Sequence, residues 1–287
     1  MRRLFYFYFC RMIKLGNYNT LEILRSTSVG LFLGDEEGTE ILLPNKYVPD
    51  PIEIGQKLTV FCYLDNSERP VSTTLKPYVV RDGFAFLEVV EVSAYGAFMD
   101  WGLEKHLLVP FREQRLKMEQ GTKYVVHCYL DEQSFRLTAS NKIDKFLDNE
   151  NITKKQNDEV SLLVSRKTEL GWETIIDNKH KGLLFFSDVF QSLSIGDTLK
   201  GYIKNIREDK KIDISLVPIG EKMLEPTAEL ILQKLKDSNG FLGLHDKSPP
   251  EEIRNALQLS KKAFKKGIGT LYRERKIVLE PNGIRLL

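Results

Sequence analysis

A run of positive charge near the C-terminal end of the chain has the residue types needed to bind a polyanion. Between Arg254 and Lys276 there are eight Lys and Arg residues and a single acid, Glu274. On a helix, four of these cations would share one face, because residues three and four apart are neighbours there. They are Lys262, Lys265, Lys266 and Arg273, and they lie opposite the apolar Phe264, Ile268 and Leu271. Such a face is suited to ionic contact with phosphates, whereas the alternative is an ordinary solvated surface.

The residue types that support catalysis or metal binding are, in contrast, scattered along the chain. The four histidines and three cysteines form no cluster, and no Cys-x-x-Cys pair occurs. A zinc site needs such ligands at short spacing, and metal-assisted hydrolysis needs carboxylates that converge, whereas these acids fall mostly in turns. We therefore predict a protein that is not an enzyme and that has no metal site, no cofactor and no catalytic residue.

An internal repeat indicates which elements position the remaining candidates. The stretch Gly55–Asp65 (GQKLTVFCYLD) recurs almost letter for letter at Gly121–Asp131 (GTKYVVHCYLD), and a weaker copy begins at Gly196. Each copy contains β-rich runs that start near a glycine, a polar turn region and a charged hairpin before a last strand. We predict three tandem five-stranded barrels, in which Cys62 and Cys128 are buried strand residues.

Composition and charge limit the class of protein. With 42% hydrophobic and 29% charged residues, the 287-residue chain is typical of a soluble globular protein with several domains. Residues 1–150 carry 18 Lys and Arg against 21 Asp and Glu, whereas residues 221–287 carry 13 against 9. The apolar run in MRRLFYFYFCR is too short for a signal peptide or a membrane span. We expect no membrane association and a cytoplasmic location, with either Met1 or Met12 as the true start.

After residue 220 the apolar period changes from 2 to 3.6, which indicates helices. The first predicted helix ends near Gly240, the motif Ser248-Pro249-Pro250-Glu251 predicts a capping box for a second, and Ser260 is expected to cap a third. The turn Pro281-Asn282-Gly283 predicts a hairpin. The apolar stripe of the first helix comprises Leu224, Ala228, Ile231, Leu232 and Leu235. This order of elements is that of a winged helix-turn-helix.

These elements predict the fold class and the division of the chain. We predict a mainly β protein with a C-terminal α/β module, made of three five-stranded barrels and a winged helix-turn-helix domain. The polar stretch Asp144–Asn157 is expected to be a helical tail followed by a linker. The predicted boundaries are a tail at 1–13, barrels at 14–79, 80–146 and 158–220, a linker at 147–157, and the winged helix at 221–287.

Short motifs in the second and third repeats resemble the S1 RNA-binding domain, a barrel similar to the OB-fold. The second repeat has Gly96-Ala97-Phe98, Gly121-x-x-Tyr124 and Arg136-Leu137-Thr138. The third has Gly182–Asp188 (GLLFFSD) and Lys211–Leu216 (KIDISL). Three such copies ahead of a winged helix resemble the CvfB-like (conserved virulence factor B) family over nearly the whole chain. The order of all four domains makes this match more specific than any single S1 motif.

The resemblance implies where bases and phosphates would be bound. OB barrels stack bases on aromatic side chains beside a positively charged face. In the second barrel the family pattern places Tyr95 and Phe98 at the two aromatic positions and Arg136 at the basic position. Val109 stands in place of the family's histidine. For each aromatic residue the alternative interpretation is a place in the core of the barrel.

In the third barrel the resemblance places Phe185 at the histidine position and Lys211 at the basic position. Leu170 and Glu173 replace the two aromatic residues there. Tyr202, on the repeated strand, is a further candidate if its face of the barrel is exposed. The three copies are therefore expected to differ in their capacity to bind a base.

The first barrel keeps the fewest features of the pattern. It has an aromatic residue, Phe32, but Leu43 and Pro70 are expected at the histidine and basic positions. The site of this barrel is therefore predicted to be degenerate, and the barrel is predicted to be structural.

The resemblance implies an RNA-binding protein that regulates gene expression post-transcriptionally. Single-stranded RNA is the expected partner of the second and third barrels and of the basic winged helix, with duplex nucleic acid as an alternative at the winged helix. The other hypothesis is a protein-interaction scaffold associated with the ribosome or RNA polymerase, in which the acidic first two barrels contact a protein. The sequence predicts neither the RNA target and base preference nor a protein partner or oligomeric state.

Overall fold

Glycines and tight turns divide the β-rich part of the chain into three units of five strands. The computed structural model describes residues 13–189, 191–218 and 226–287. Each unit closes into a barrel in which the first strand pairs with the second and fourth, and the fifth pairs with the third and fourth. The mainly β fold class predicted from the repeat is confirmed. The predicted tail, up to residue 12, and Leu224 lie outside the described residues.

The strands follow the same order in all three barrels. Barrel 1 consists of β1 (Tyr18–Thr27), β2 (Gly30–Gly34), β3 (Glu40–Pro44), β4 (Lys57–Leu64) and β5 (Pro70–Thr73). Barrel 2 consists of β6 (Phe84–Val92), β7 (Gly96–Asp100), β8 (Leu107–Pro110), β9 (Lys123–Leu130) and β10 (Leu137–Ser140). Barrel 3 consists of β11 (Glu159–Lys167), β12 (Gly171–Ile176), β13 (His180–Phe185), β14 (Thr198–Ile206) and β15 (Ile212–Ser215). In each barrel the third and fifth strands are parallel.

A glycine at the start of each second strand fixes how this strand crosses the third. A Cβ atom on Gly96 would collide with a carbonyl oxygen of the facing strand, and Gly30 and Gly171 have the same kind of neighbour. Gly96 also has a φ of +148°, which favours glycine. This close approach pairs Gly96 with Pro110 and leaves Phe98, two residues further along, partly exposed on the barrel surface.

Barrels 1 and 2 share one apolar cluster. Trp101 follows the second strand of barrel 2, and its ring meets Phe61 of barrel 1 edge-on, with 5.7 Å between the ring centroids. The centroid of Tyr63 lies 6.4 Å from the same tryptophan. Phe61 is 0% exposed and Trp101 is 2% exposed. The outer face of β4 is thus covered by barrel 2, and the two barrels pack together through a buried interface.

A turn of 3-10 helix, Ile143–Phe146, follows barrel 2. Its last ring stacks on His127, with 3.9 Å between the centroids. The chain then runs irregularly along barrel 3, where Asn149 Nδ2 donates a hydrogen bond to the carbonyl of Lys181 (2.9 Å). The helical tail predicted within Asp144–Asn157 is therefore wrong beyond this turn. Asp and Asn side chains here bind nearby backbone groups, which competes with helix formation.

The C-terminal residues form a winged helix-turn-helix, as predicted. Its elements are α1 (Pro226–Asp237), β16 (Phe241–Leu242), α2 (Pro250–Leu257), α3 (Lys261–Arg273), β17 (Ile277–Glu280) and β18 (Gly283–Leu286). The three strands form a sheet in the order β16-β18-β17. The buried residues of α1 and α3 that pack together are Ala228, Ile231, Leu235, Phe264, Ile268 and Leu271. The cationic side of α3 therefore faces away from this core.

The two predicted helix caps have different outcomes. Ser260 caps α3, since its Oγ accepts a hydrogen bond from the backbone N–H of Ala263 (3.2 Å). The capping box at Ser248 is wrong, because α2 begins at Pro250 and Ser248 Oγ accepts instead from the N–H of His245 (3.0 Å). A residue before proline is restricted to extended backbone, so Pro249 cannot be helical and the helix starts one residue later.

Candidate nucleic-acid interface

Strand pairing defines which residues occupy equivalent positions in the barrels. Gly96 pairs with Pro110 in barrel 2 in the same way as Gly171 pairs with Phe185 in barrel 3. The family's histidine position in barrel 2 is therefore Pro110, and the assignment of Val109 is wrong by one residue. Val109 is fully buried inside the barrel. A shift of one residue moves a side chain to the opposite face of a strand, so the correction changes which residue is available.

Barrel 1 requires the same one-residue correction at two positions. Gly30 pairs with Pro44, which places Pro44 and not Leu43 at the histidine position. The first residues of β5 and β10 are equivalent in their pairing, so the residue before Pro70, which is Arg69, corresponds to Arg136. Barrel 1 therefore keeps a basic residue at this position, contrary to the prediction.

Barrel 1 nevertheless covers its candidate positions with its own side chains. The guanidinium carbon of Arg25 lies 3.8 Å from the ring centroid of Phe32 and its Nη2 lies 2.5 Å from the Glu40 carboxylate. Arg69 donates hydrogen bonds from Nε (2.9 Å) and Nη2 (2.7 Å) to Asp65 Oδ2. The aromatic ring and the cation of this barrel are both engaged within the barrel, which supports a structural role.

In barrel 2 the three predicted residues line one cleft. Tyr95 is 77% exposed, Phe98 is half-buried and Arg136 is exposed, and all three border a space of about 290 Å³. Barrel 1 supplies one side of this cleft through Asn66 and Glu68. The other lining residues are apolar, aromatic or basic for the most part and include Tyr63, Trp101, Lys105, Leu107 and Leu108. An aromatic surface beside a cation can stack a base and attract its phosphate.

Arg136 does not stand alone in this cleft. Its guanidinium forms an ion pair with the Glu68 carboxylate, and the two side chains are 50% and 43% exposed. The pair joins the β4–β5 loop of barrel 1 to barrel 2. Sequence reasoning missed Glu68 and Asn66, because nothing in a repeat indicates that the turn of one copy reaches the site of the next.

In barrel 3 the corresponding cleft is wider and carries charges of both signs. Lys211 lines a space of about 600 Å³ together with Leu170 and Glu173. Glu173 stands where barrel 2 has Phe98, and its carboxylate lies 3.1 Å from Lys181 Nζ. An acid replaces the aromatic platform at the centre of this cleft. Barrel 3 therefore has no ring at this position on which a base could stack.

The two aromatic residues predicted for barrel 3 do not line its cleft. Phe185 is half-buried at the end of β13, with the Arg207 guanidinium carbon 5.7 Å from its ring centroid. Arg207 lines the cleft and donates hydrogen bonds to both carboxylate oxygens of Asp213. Tyr202 is half-exposed on β14, where its hydroxyl lies 3.4 Å from the Glu159 carboxylate. The structure thus connects Phe185 to the cleft through Arg207 and leaves Tyr202 elsewhere on the barrel.

The outer face of α3 gathers the predicted cations of the winged helix. Lys262, Lys265, Lys266 and Arg273 are all exposed, whereas Phe264, Ile268 and Leu271 are buried. Tyr272 is 56% exposed and lies at helical spacing from Lys265, so an aromatic ring shares this face. The sequence analysis missed Tyr272, although its i+7 spacing from Lys265 is a signal that could have identified it.

Three further titratable residues, His127, Cys62 and Cys128, are buried in the barrels. Burial lowers the pKa of His127 from its ordinary 6.5 to about 4. It raises the pKa of Cys62 and of Cys128 to about 12, so both thiols stay protonated at neutral pH. Within residues 13–189, 191–218 and 226–287, no group of three or more His, Cys, Asp or Glu side chains could hold a metal ion. In the same ranges, the helices are all too short or too polar to cross a membrane.

Two domain families match this chain. Residues 229–286 match the CvfB-like winged helix domain, and residues 15–75 match the S1 domain. The first match covers most of the winged helix described above, and the second covers barrel 1. The S1 match therefore falls on the barrel whose candidate site is covered by its own side chains.

Similar proteins of comparable length are found in bacteria. The uncharacterized protein YitL of Bacillus subtilis is 30% identical over 276 residues, which cover 92% of this chain and 91% of that protein. Conserved virulence factor B of Staphylococcus epidermidis is 25% identical over 281 residues, covering 95% of this chain and 94% of that one. A crystal structure of a multidomain protein with nucleic acid binding domains from Streptococcus pneumoniae is 24% identical, covers 95% of this chain and 98% of that chain, and gives a TM-score of 0.43.

Proposed function

We propose that this chain, which belongs to the CvfB-like protein family, is a non-catalytic RNA-binding protein. In this proposal it regulates gene expression post-transcriptionally. The proposed ligand is single-stranded RNA. The proposed surfaces are the cleft of barrel 2, a smaller contribution from barrel 3, and the cationic face of α3. Barrel 1 acts mainly as a structural partner of barrel 2.

The observation that carries this proposal is the cleft where Tyr95, Phe98 and Arg136 meet. Aromatic rings accept any base by stacking, and each stacked base contributes about 1–3 kcal/mol to binding. Tyr95 is open to solvent, so a base reaches its ring without a rearrangement of the fold. A single strand is favoured over a duplex at this cleft, because the bases of a duplex are already stacked and paired.

Barrel 3 supports the proposal less strongly. Lys211 borders its cleft, but its Nζ lies 2.7 Å from Asp209, and Phe185 lies beside Arg207. A phosphate would compete with the carboxylates that these cations already contact. We assign barrel 3 a role in following the RNA backbone, with fewer stacked bases than barrel 2.

The cationic face of α3 adds a contact that is independent of sequence. Four exposed cations on one helix face neutralise phosphates, and the counterions that they release make such binding depend on salt. The same face suits either a single strand or a duplex, since phosphates are common to both. Tyr272 gives it one ring that could stack an unpaired base.

The experiment that tests this function is filter binding of the whole chain to single-stranded RNA at near-physiological salt. We expect binding clearly tighter than about 10⁻⁴ M, the weak limit of non-specific association. Crosslinking to total cellular RNA, followed by peptide mapping, should recover peptides that contain Tyr95 or Phe98. Binding no tighter than that limit would favour the scaffold hypothesis, in which the acidic first two barrels contact a protein.

A further inference from the structure

The cleft between barrels 1 and 2 contains an acid and a base that face the same space as two aromatic rings. Resting on the proposed RNA-binding function, we propose that this cleft selects guanine, with the Watson–Crick edge of the base held between Glu68 and Arg136. The proposal makes Glu68, a residue of barrel 1, a specificity-determining group for a base bound at barrel 2. It also assigns barrel 1 a part in recognition beyond its structural role.

The loop that carries Glu68 is held rigidly at the cleft. Lys105 Nζ, from barrel 2, donates hydrogen bonds to the backbone carbonyls of Leu64 (3.0 Å) and Asp65 (2.7 Å). Asp65 Oδ1 in turn accepts from the backbone N–H groups of Ser67 (2.8 Å) and Arg69 (2.9 Å). The loop is therefore fixed both to its own hairpin and to barrel 2. A group held in place before binding loses less conformational entropy when a ligand arrives.

The ion pair of Arg136 differs from those at the equivalent positions of the other barrels. Arg69 pairs with Asp65 and Lys211 pairs with Asp209, and in both cases the acid belongs to the same hairpin as the cation. The acid that pairs with Arg136 comes from the neighbouring barrel and lines the cleft itself. This arrangement directs both members of the pair into a space bordered by aromatic rings.

Guanine is the base whose hydrogen-bonding edge matches such a pair. Its O6 accepts a hydrogen bond, while its N1–H and its exocyclic amine are adjacent donors. An arginine can donate to O6, and the two oxygens of a carboxylate can accept from the two donors. Uracil and cytosine lack this order of groups, and adenine has an acceptor at N1. A guanine can therefore bridge Arg136 and Glu68 and replace their direct contact.

The size and charge of the cleft agree with a single base as the ligand. Its volume of about 290 Å³ lies just below the range of about 300–1,000 Å³ that holds drug-sized molecules. A carboxylate at this place repels phosphates, so it weakens general RNA binding unless it accepts hydrogen bonds from a base. Glu68 therefore fits recognition of a base edge better than recognition of the RNA backbone.

The test compares labelled oligouridine strands that carry one central guanosine, inosine, adenosine, cytidine or uridine, by fluorescence anisotropy at constant salt. We expect the guanosine strand to bind about tenfold more tightly than the adenosine, cytidine and uridine strands, as one well-formed bidentate contact provides. Inosine keeps O6 and N1–H but lacks the amine, so its strand should bind with intermediate affinity. Glu68→Gln should remove the preference for guanosine by weakening the binding of the guanosine strand, while the loss of a negative charge should raise the affinities of the other strands only slightly.

The matched control is Glu132→Gln, which removes the same charge from an exposed turn of barrel 2 outside the cleft. It should retain the preference, and equal melting temperatures would show that both variants are folded. Equal binding of all five strands by the unaltered protein would overturn the guanine assignment while RNA binding stands. A uniform rise in affinity with Glu68→Gln would also overturn it, because Glu68 would then only screen Arg136 from phosphates. Failure of every strand to bind would instead refute the proposed function.

Discussion

Phe61, His127 and Tyr202 occupy one register position in three barrels of the same topology, yet they differ in burial. Phe61 is 0% exposed and His127 is 5% exposed, whereas Tyr202 is half-exposed. Trp101 covers the first and Phe146 stacks on the second. In both of these barrels, a residue from further along the chain completes the outer wall. The burial of this position therefore depends on which residues pack against the outside of the barrel and not on the barrel itself.

The neighbours of this position show the same contrast. Tyr18 and Phe84 are paired with it in barrels 1 and 2, whereas Glu159 is paired with it in barrel 3. At the register position of Tyr63, which pairs with Val71 in barrel 1, a bulge in the fourth strand of barrel 3 places Asn205, which pairs with Asp213. Exchange of aromatic for polar or charged side chains at fixed register converts a face that packs into a face that contacts water. A repeated fold can therefore keep its backbone while its outer faces take different roles.

The strongest test of this contrast is the pair of variants Phe61→Ala and Tyr202→Ala. Loss of a fully buried phenylalanine removes packing from both barrels, so Phe61→Ala should lower the free energy of unfolding by about 3–5 kcal/mol. Tyr202→Ala should lower it by less than about 1 kcal/mol, as expected for a partly exposed ring with polar neighbours. Urea denaturation followed by tryptophan fluorescence measures both. Equal effects would contradict the distinction between a covered and an open face.

The second test uses acid, since His127 is the member of the three whose side chain gains a proton as the pH falls below neutral. Its folded-state pKa of about 4 lies below the ordinary 6.5, so the unfolded chain binds a proton first as the pH falls. Stability should be unaffected by this group above pH 6.5 and should decrease as the pH falls from 6.5 towards 4. The loss should approach about 3 kcal/mol, at about 1.4 kcal/mol for each pH unit.

The matched variant for this test is His127→Phe, which places in barrel 2 the residue that barrel 1 has at the same position. Phenylalanine cannot be protonated, so the variant should lose this part of the pH dependence. Its stability between pH 6.5 and 4 should stay closer to that of the parent protein at pH 7. Thermal melts at half-unit intervals of pH would measure the difference. An unchanged slope between pH 6.5 and 4 in the variant would show that other groups cause the acid sensitivity.

The third test moves the comparison from the junctions to the clefts. Phe98→Ala should weaken binding of single-stranded RNA by about 1–3 kcal/mol, if the ring stacks a base. Phe185→Ala should have a smaller effect, because Phe185 lies outside the cleft of barrel 3 and beside Arg207. Affinity and melting curve must be measured together. Large loss of stability with unchanged affinity of the folded protein would place both rings in the core instead.

The smallest effect on stability is expected at α3, which lies outside the barrels and serves as a reference. Combined replacement of Lys262, Lys265 and Lys266 by Gln should leave the melting curve nearly unchanged, because exposed lysines contribute little to folding. Each lost phosphate contact should reduce the slope of log K against log salt by about 0.7 for a single strand. Three lost contacts correspond to about 2 in slope. An unchanged slope would leave the barrels as the RNA-binding surface.

The architecture could be predicted from the repeat, because the backbone conformation requires glycine at the repeated positions. Gly121 has a φ of +77° at the turn before the long fourth strand, and Gly96 permits the close crossing of two strands. Substitution at either position is restricted, so the spacing survives where the side chains between have diverged. The apolar stripe and the hairpin turn of the winged helix were predictable for the same kind of reason.

Register within an apolar run was harder to predict. The sequence of Leu107–Pro110 is compatible with two registers, and the wrong register assigned the family's histidine position to Val109 instead of Pro110. Pairing partners across the sheet decide the register, and they are distant in sequence. The participation of Glu68 in the cleft of barrel 2 could not be predicted from the sequence for a related reason. It depends on how two barrels pack, which no pattern within one repeat records.

The aromatic junction between the first two barrels also has an evolutionary meaning. Phe61 and Tyr63 belong to the same buried cluster as Trp101, Val109 and the rest of the interior of barrel 2. A recombination event that separated these barrels would expose both halves of this cluster at once. We therefore expect the two barrels to be inherited as one module, although their sequences are two copies of one repeat. We expect gain or loss of a unit by gene duplication to be tolerated more readily beside the charged face around Tyr202 than between the first two barrels.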